Sequence, residues 1–428
     1  MIEYREDELF IGGTPAPALV RKFGSPLYVY DASVIDRQIR RLTDAFGDLP
    51  FQPFYAAKAN SNLDILRMIR NAGFGCDAVS PGEVFLARKA GFDAERIWFT
   101  STHVSDDDFR ALTNPAVTVN IDSMSALERI VKLKLRNPIS FRVNPDVGAG
   151  HHRDVVTGGY GVKFGFDRAE VGEARIWAES AGLRLVGLHA HIGSGISEIA
   201  PLLDAARVLL SLSEEFATLR WLNFGGGIAT PYRPGEPEFP LEEFARSLTA
   251  IARERLSALR ATAVLEPGRF LLAPAGLLLS TVTGKRISGG TTWIGCDTGF
   301  HHLARPSKYG SYHHILNASR GSEAWLPTSG ADPALLDGEE AIVAGNLCES
   351  GDILTRGQEG PESRWLPPTR EGDILAFCDA GAYGFSMASH YNARLLPAEV
   401  LVQEGNVRLI RERQRFDDLL AGQFAQPR

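Results

Sequence analysis

The chain has 428 residues, 44% of them hydrophobic and 23% charged, with a formal net charge of -7. That is the make-up of a folded globular protein with a core large enough for roughly two or three domains, and its mild acidity argues against a nucleic-acid partner, whose phosphates call for clustered Lys and Arg. No uncharged apolar stretch reaches the ~20 residues that span a bilayer, and the opening MIEYREDELF mixes acids and bases where a signal peptide is apolar, so a cytosolic protein without membrane contact is expected.

From residue 51 onward, short apolar runs alternate with amphipathic stretches. The runs are FQPFYAA (51–57), FGCDAVS (74–80), RIWFTS (96–101), AVTVNID (116–122), ISFRVN (139–144), LVGLHAHIG (185–193), WLNFGGG (221–227) and AVLEPG (263–268). Near-continuous apolar runs of this length fit parallel strands buried on both faces. Between them, LDILRMIRNAG (63–73) repeats Leu and Ile at helical spacing and stops at Gly73. MSALERIVKLK (124–134), LDAARVLLSLSEEFA (203–217) and LEEFARSLTAIARERL (241–256) behave likewise. Eight strand–helix units over roughly 250 residues predict an α/β protein with a (β/α)8 TIM barrel, placed at 27–277. A doubly wound sheet is the alternative, since it shares the alternating pattern.

The texture then changes. LLLSTVTGKRI (277–287), TTWIGCD (291–297), EAIVAGNLC (340–348), GDILAFCDAG (372–381), AEVLVQEG (398–405) and NVRLIRER (406–413) read as strands without long helices between them, and 404–407 reads as a hairpin. Residues 278–428 are expected to form an antiparallel β-barrel domain with residues 1–26 packed on it, and 320–340 to be a surface loop. The four cysteines, Cys76, Cys296, Cys348 and Cys378, are too far apart for a CxxC pair. A disulfide framework is not expected at this size and in this compartment.

Active residues of such a barrel gather at the carboxyl ends of its strands. The first strand runs into Lys58, the second ends near Asp77, the fifth carries Arg142, and the sixth ends in HAHIGSG with His189 and His191. The seventh ends in Gly225, Gly226 and Gly227, and the eighth in EPGR, with Glu266, Gly268 and Arg269. Each has a plain reading as well. A lysine closing a strand is ordinarily solvated, and a triple glycine is often only a tight turn. Two histidines on one strand face suit a metal, but a metal needs further ligands that HIGSG does not bring, so no metal is expected. The adjacent pairs at 151–152, 301–302 and 313–314 point opposite ways in extended chain. Taken together, a lysine amine, a glycine loop with an arginine for a phosphate, a ring to stack and a carboxylate for a pyridine nitrogen are what pyridoxal 5′-phosphate needs.

Seven motifs run in order along the chain: FYAAKAN (54–60), HIGSG (191–195), FGGGI (224–228), EPGRF (266–270), RPSKYGSYHHI (305–315), CESGD (348–352) and GAYGFSMAS (381–389). With them the sequence resembles the barrel-type pyridoxal-phosphate-dependent amino-acid decarboxylases, and CESGD with RPxxYGxYHHI favours their diaminopimelate branch. The resemblance implies that Lys58 is the Schiff-base lysine and that His191, supported by Asp77, stacks on the cofactor ring. Ser194, Gly225, Gly226, Gly227, Gly268, Arg269 and Tyr383 would surround the phosphate, and Glu266 would pair with the ring nitrogen. Arg269, Arg305, Tyr309, Glu349 and Tyr383 match the substrate-binding set, and Cys348 matches the cysteine that protonates the product. The resemblance further implies a homodimer whose CESGD loops are exchanged between two shared sites.

The substrate logic is physical. Meso-2,6-diaminopimelate carries an amine and a carboxylate at each end, so the end that does not react must be gripped by a cation and an anion together. Arg305 and Arg269 suit the carboxylate and Glu349 the ammonium. His301 and His302 stand where this family more often has Asn-Asp, His390 and Leu395 also depart from its pattern, and STHVSDDD (101–108) replaces a glycine-rich lid. The exchanges are read first as neutral. Two rival readings are a related decarboxylase with another amino-acid substrate and a non-catalytic regulatory homologue. Retention of Lys58 and Cys348 counts against the second.

Overall fold

The computed structural model describes residues 2–423. It contains two compact units.

The first unit, Gln38–Thr230 with Glu238–Phe270, is a closed barrel of eight strands. In chain order they are Phe51–Ala56, Gly75–Ala78, Ile97–Thr100, Thr118–Ile121, Ile139–Arg142, Leu185–His189, Trp221–Asn223 and Thr262–Leu265. Every neighbouring pair is parallel, and the eighth strand closes on the first through Ala263 opposite Phe51. Closure removes the doubly wound alternative.

The expected helices are present as Leu63–Asn71, Met124–Lys132, Ile199–Ser213 and Leu241–Leu259. Pro81–Ala90, Asp106–Ala111 and Val171–Ser180 add to them. Their ends follow local chemistry: Asn62 caps the first by accepting from Asp64 N–H, and Ser80 and left-handed Gly91 bound Pro81–Ala90.

Strand alternation sorts the barrel interior into layers. In the lower layer the rings of Phe54 and Trp98 stack at 4.1 Å, and Trp98 meets Trp221 at 5.0 Å, with Val264 against them. Gly75 and Gly187 make room for this filling. A Cβ on Gly75 would lie 2.4 Å from the Phe54 ring, and one on Gly187 2.1 Å from Trp221. Two residues further along each strand, on the same face, stand Asp77, Thr100, Asn120, Arg142, His189 and Asn223, all buried.

The second unit, Met1–Arg37 with Pro231–Pro237 and Leu271–Arg428, is built on a mixed sheet. Its path runs through Arg364–Leu366, Glu339–Ala344, Thr291–Cys296, Gly276–Ser288, Leu27–Asp31, Ala398–Gln403 and Asn406–Arg411. Ile315–Asn317 and Ile374–Phe377 extend it from Gly276–Ser288. Most ladders are antiparallel. Leu27–Asp31 runs parallel to Ala398–Gln403, and Thr291–Cys296 parallel to Glu339–Ala344.

Residues 27–31, expected at the start of the barrel, are thus a central strand of this sheet, and the barrel unit begins at Gln38 and ends at Phe270 rather than at 27 and 277. The strand serves both faces of the sheet. Leu27 and Val29 enter a core with Leu9, Leu277 and Val400. On the other face Tyr28 donates to His302 O at 2.7 Å and Tyr30 to Glu399 Oε1 at 2.6 Å. The hairpin at 404–407 forms with Glu404 and Gly405 both at positive φ. Residues 320–340 hold two short 3-10 turns. Among the described residues no helix is long and apolar enough to cross a membrane.

Candidate active site

The polar layer of the barrel continues past the strand ends into a cluster that the sequence had split over four motifs. Lys58 sits in a 3-10 turn, Ala57–Ala59, directly after the first strand, with Ala57 and Ala59 buried on either side. That turn abuts the segment after the eighth strand: Ala56 N–H donates to Pro267 O at 3.2 Å, and a Cβ on Gly268 would be 3.0 Å from that of Ala59. The glycine in EPGR therefore lets the lysine turn and the Glu266 segment approach.

Glu266 is buried and held on both oxygens. Asn223 Nδ2 donates to Oε1 at 2.5 Å, and His189 Nε2 lies 3.2 Å from Oε2, at ion-pair distance though off the N–H axis. Burial alone would raise this carboxyl, but the opposing pull of His189, His191 and Lys58 brings it down to about 2. Burial also pushes both imidazoles down, His191 far down. With the rings neutral, the positive charges that face Glu266 are those of Lys58 and Arg142. Asp77 goes the other way: burial and the negative Glu266 push it up to about 8. Its carboxylate oxygens and Thr100 Oγ1 are buried without an aligned hydrogen-bond partner among the described residues, Thr100 being near enough to bias the acid but not to bond it. Two carboxyls in one mouth with opposite protonation states are an arrangement found where proton chemistry is done.

The anion side of the mouth is formed by Arg269, whose Nε and Nη2 donate to Ser194 Oγ at 3.3 and 2.9 Å. Beside it Gly225 and Gly227 adopt positive φ. A Cβ on Gly225, Gly226 or Gly227 would fall 2.4, 2.2 or 2.4 Å from the carbonyl oxygens of Ala190, Glu266 and Gly193. The glycines thus pack the loop onto the ends of its neighbours. Gly225 N–H donates to Asn223 Oδ1 at 2.9 Å and Gly226 N–H to His191 Nδ1 at 3.2 Å. These two amides orient protein groups at the edge of the loop.

In the sheet unit, Arg305 is buried, with Nη1 3.0 Å from His313 Nε2 and its guanidinium 4.4 Å from the centre of the Tyr232 ring. Tyr309 is half-buried, and Tyr383 sits in a left-handed conformation within GAYG. Cys348 and Glu349 are exposed. Cys348 N–H donates to Asn392 Oδ1 at 2.9 Å, and a hydrogen bond to Glu349 raises the Tyr391 phenol. Of the departing histidines, His301 and His302 are neutral packing groups: burial pushes His301 down to about 4 and His302 to about 3, their rings 3.6 Å apart. His302 Nε2 lies 3.0 Å from Leu395 O, and His390 Nε2 2.6 Å from Gln414 Oε1.

The structure therefore gathers Lys58, Asp77, His191, Ser194, Gly225, Gly226, Gly227, Glu266, Gly268 and Arg269 within the barrel unit, and places Arg305, Tyr309, Cys348, Glu349 and Tyr383 in the sheet unit. Asn120, Ser140, Thr100 and Asn223, which touch or adjoin this cluster, were not legible as functional residues. The signal for Thr100, Asn120 and Asn223 is their spacing of two from the layer beneath, and Ser140 lies in that layer, in register with Gly187. The donor set fits a phosphorylated pyridine aldehyde: an amine, an anion for a ring nitrogen, an imidazole for a ring face, and a guanidinium with a hydroxyl for a phosphate.

Comparison with known proteins agrees with this chemistry. Residues 32–273 match the family described as pyridoxal-dependent decarboxylase, pyridoxal binding domain. The chain is 43% identical to the diaminopimelate decarboxylase of Methanothermobacter thermautotrophicus, over 97% of this chain and 95% of that one. It is 37% identical to the diaminopimelate decarboxylase of Escherichia coli K12, over 94% of each. The crystal structure of diaminopimelate decarboxylase from M. jannaschii in complex with L-lysine superposes with a TM-score of 0.88 at 32% identity, covering 100% of this chain and 98% of that one.

Proposed function

The chain belongs to the pyridoxal-dependent decarboxylases, and from that membership we propose that it converts meso-2,6-diaminopimelate to L-lysine and carbon dioxide with pyridoxal 5′-phosphate. The observation that carries this reading is the ionised Glu266 in the barrel mouth, held by Asn223 and His189 and facing the charge of Lys58.

Lys58 supplies the amine that holds the cofactor's aldehyde carbon. His191, neutral and fixed by the Gly226 N–H, offers its ring face. Arg269, Ser194, Gly227, Gly268 and Tyr383 hold the phosphate. Bound there, the cofactor supplies an electron sink for the pair left behind when carbon dioxide departs. Glu266 maintains a proton on the ring nitrogen, because an anion in a buried site favours the protonated form of the base it faces. Asp77, pushed up to about 8 by burial and Glu266, backs His191 without adding a competing charge.

The substrate's distal end is gripped by opposite charges, its carboxylate by Arg305 and Arg269 and its ammonium by Glu349, with Tyr309 and Tyr383 lining the site. After carbon dioxide leaves, Cys348 or Lys58 returns a proton to the carbon that carried it. The exposure of Cys348 and Glu349 suits a loop that works in another protomer's site, which supports a homodimer with shared sites, and the net charge of -7 counts against a nucleic-acid partner.

The test is product analysis. Holoenzyme incubated with meso-diaminopimelate, lysine, ornithine and arginine in parallel should release carbon dioxide and lysine from the first alone. Turnover of another amino acid with none of diaminopimelate would replace the substrate assignment.

A further inference from the structure

We propose that Ser140, Asn120 and His189 form a positioning chain that decides which nitrogen of His189 carries its proton, and so presents Glu266 as a fixed anion to the cofactor's ring nitrogen; this rests on the pyridoxal-phosphate reading above. The chain crosses three adjacent strands, with Asn120 in register with Ser140 and His189 in register with both Arg142 and Asn223. Ser140 Oγ donates to Asn120 Oδ1 at 2.9 Å, which turns the amide so that Nδ2 meets His189 Nδ1 at 2.5 Å. Nδ1 is then the acceptor, and a neutral ring must carry its hydrogen on Nε2, the atom 3.2 Å from Glu266 Oε2. The opposite amide orientation would place the hydrogen on Nδ1 and aim the Nε2 lone pair at a carboxylate, acceptor against acceptor.

The other carboxylate oxygen is treated in the same way. Asn223 Nδ2 donates to Oε1 while its own Oδ1 accepts from Gly225 N–H, which fixes that amide too. Ser140, Asn120, His189, Asn223 and Glu266 are all 5% exposed or less, so water does not compete for these bonds. The choice of neutral donors matters. A cation in the place of His189 would compensate Glu266 and weaken its hold on a proton across the ring, whereas neutral N–H groups orient the anion and leave its charge in place. Burial pushes the His189 ring down, as this requires; Glu266 opposes the push, and the charges of Arg142 and Lys58 add to it. The further charged or titratable groups of this mouth are Asp77 and His191.

The test uses protein reconstituted with pyridoxal phosphate labelled with nitrogen-15 in the ring, whose chemical shift reports ring-nitrogen protonation. It is read across pH together with kcat and KM for meso-diaminopimelate. His189→Asn still reaches Asn120 but not Glu266, and is expected to lose the protonated-ring shift at neutral pH. Its kcat should fall about tenfold or more, as losses of such outer contacts do, with KM unchanged. His189→Gln places an amide N–H near the Nε2 position, and should restore both the shift and most of kcat. Asn120→Leu, close in size, releases the tautomer and should move the shift the same way by less, which keeps the test decisive if a His189 variant folds poorly.

A wild-type shift and kcat in His189→Asn, or equal losses in the Asn and Gln variants, would overturn the chain. Wild-type protein that takes up no pyridoxal phosphate overturns the functional reading and this one with it. Wild-type protein that binds the cofactor but spares diaminopimelate overturns only the substrate assignment, and the ring shift still decides the chain.

Discussion

Asn223 Nδ2 donates to Glu266 Oε1 at 2.5 Å, reaching from the end of the seventh strand to the carboxylate just past the eighth. That bond persists in shape if the acid is made an amide, while the charge is lost. Glu266→Gln should therefore take up pyridoxal phosphate normally and lose about 10²- to 10³-fold in kcat, the range for removing one preorganised electrostatic contact. Steady-state kinetics beside a cofactor absorbance titration checks it, and wild-type kcat in the variant would remove Glu266 from the chemistry.

Lys58 stands in the turn that the first strand and the EPGR segment bring together. Lys58→Ala should remove the absorbance band of the covalently held cofactor and reduce turnover by about 10²- to 10⁴-fold, the scale of a lost proton-transfer group. Retained turnover would refute its assignment.

Gly226 packs against Glu266 O, where an added Cβ would lie 2.2 Å away. Because the obstacle is backbone, Gly226→Ala must shift the loop, at about 1–3 kcal/mol for overpacking. The variant should melt lower and bind the cofactor more weakly. Gly284→Ala, which meets nothing within 4 Å, is the control and should leave both unchanged.

His301 and His302 are held near 4 and 3 in the folded chain by burial. An unfolded histidine titrates near 6.5, so between those values the unfolded state binds more protons and stability falls as pH falls. Denaturant midpoints should be flat above about pH 7 and decline from there toward about pH 4. Replacing both rings with Asn should flatten that decline. A decline of the same size in the double variant would place its origin elsewhere.

Glu349 is exposed in CESGD and hydrogen-bonded to Tyr391. Glu349→Gln should raise KM for diaminopimelate by about tenfold, one charge-assisted contact, with cofactor binding intact. An unchanged KM would free Glu349 from substrate recognition.

Much of this was legible in the chain. Seven barrel strands fall within the apolar runs, and the eighth, Thr262–Leu265, starts one residue before its run, because strands buried on both faces need apolar residues at nearly every position. Lys58, Glu266 and Arg269 were readable because they close those runs. Leu27–Asp31 was misplaced for a definite reason: it is as apolar as a barrel strand, and its partners at 276–279 and 398–402 are far off in sequence. Asn120, Ser140 and Asn223 were hidden because one polar residue in an apolar strand looks alike whether it is satisfied locally or serves a site. Only three-dimensional closure shows that His189 and Glu266 meet.

The interlocked rings of Phe54, Trp98 and Trp221 have one more implication. They form a stopper beneath the chamber that holds Glu266, so the amino acid comes in, and lysine and gas go out, on the side of the strand ends. Two indoles lodged directly beneath that chamber also make a built-in optical gauge, since a pyridine ring arriving overhead would dim their emission.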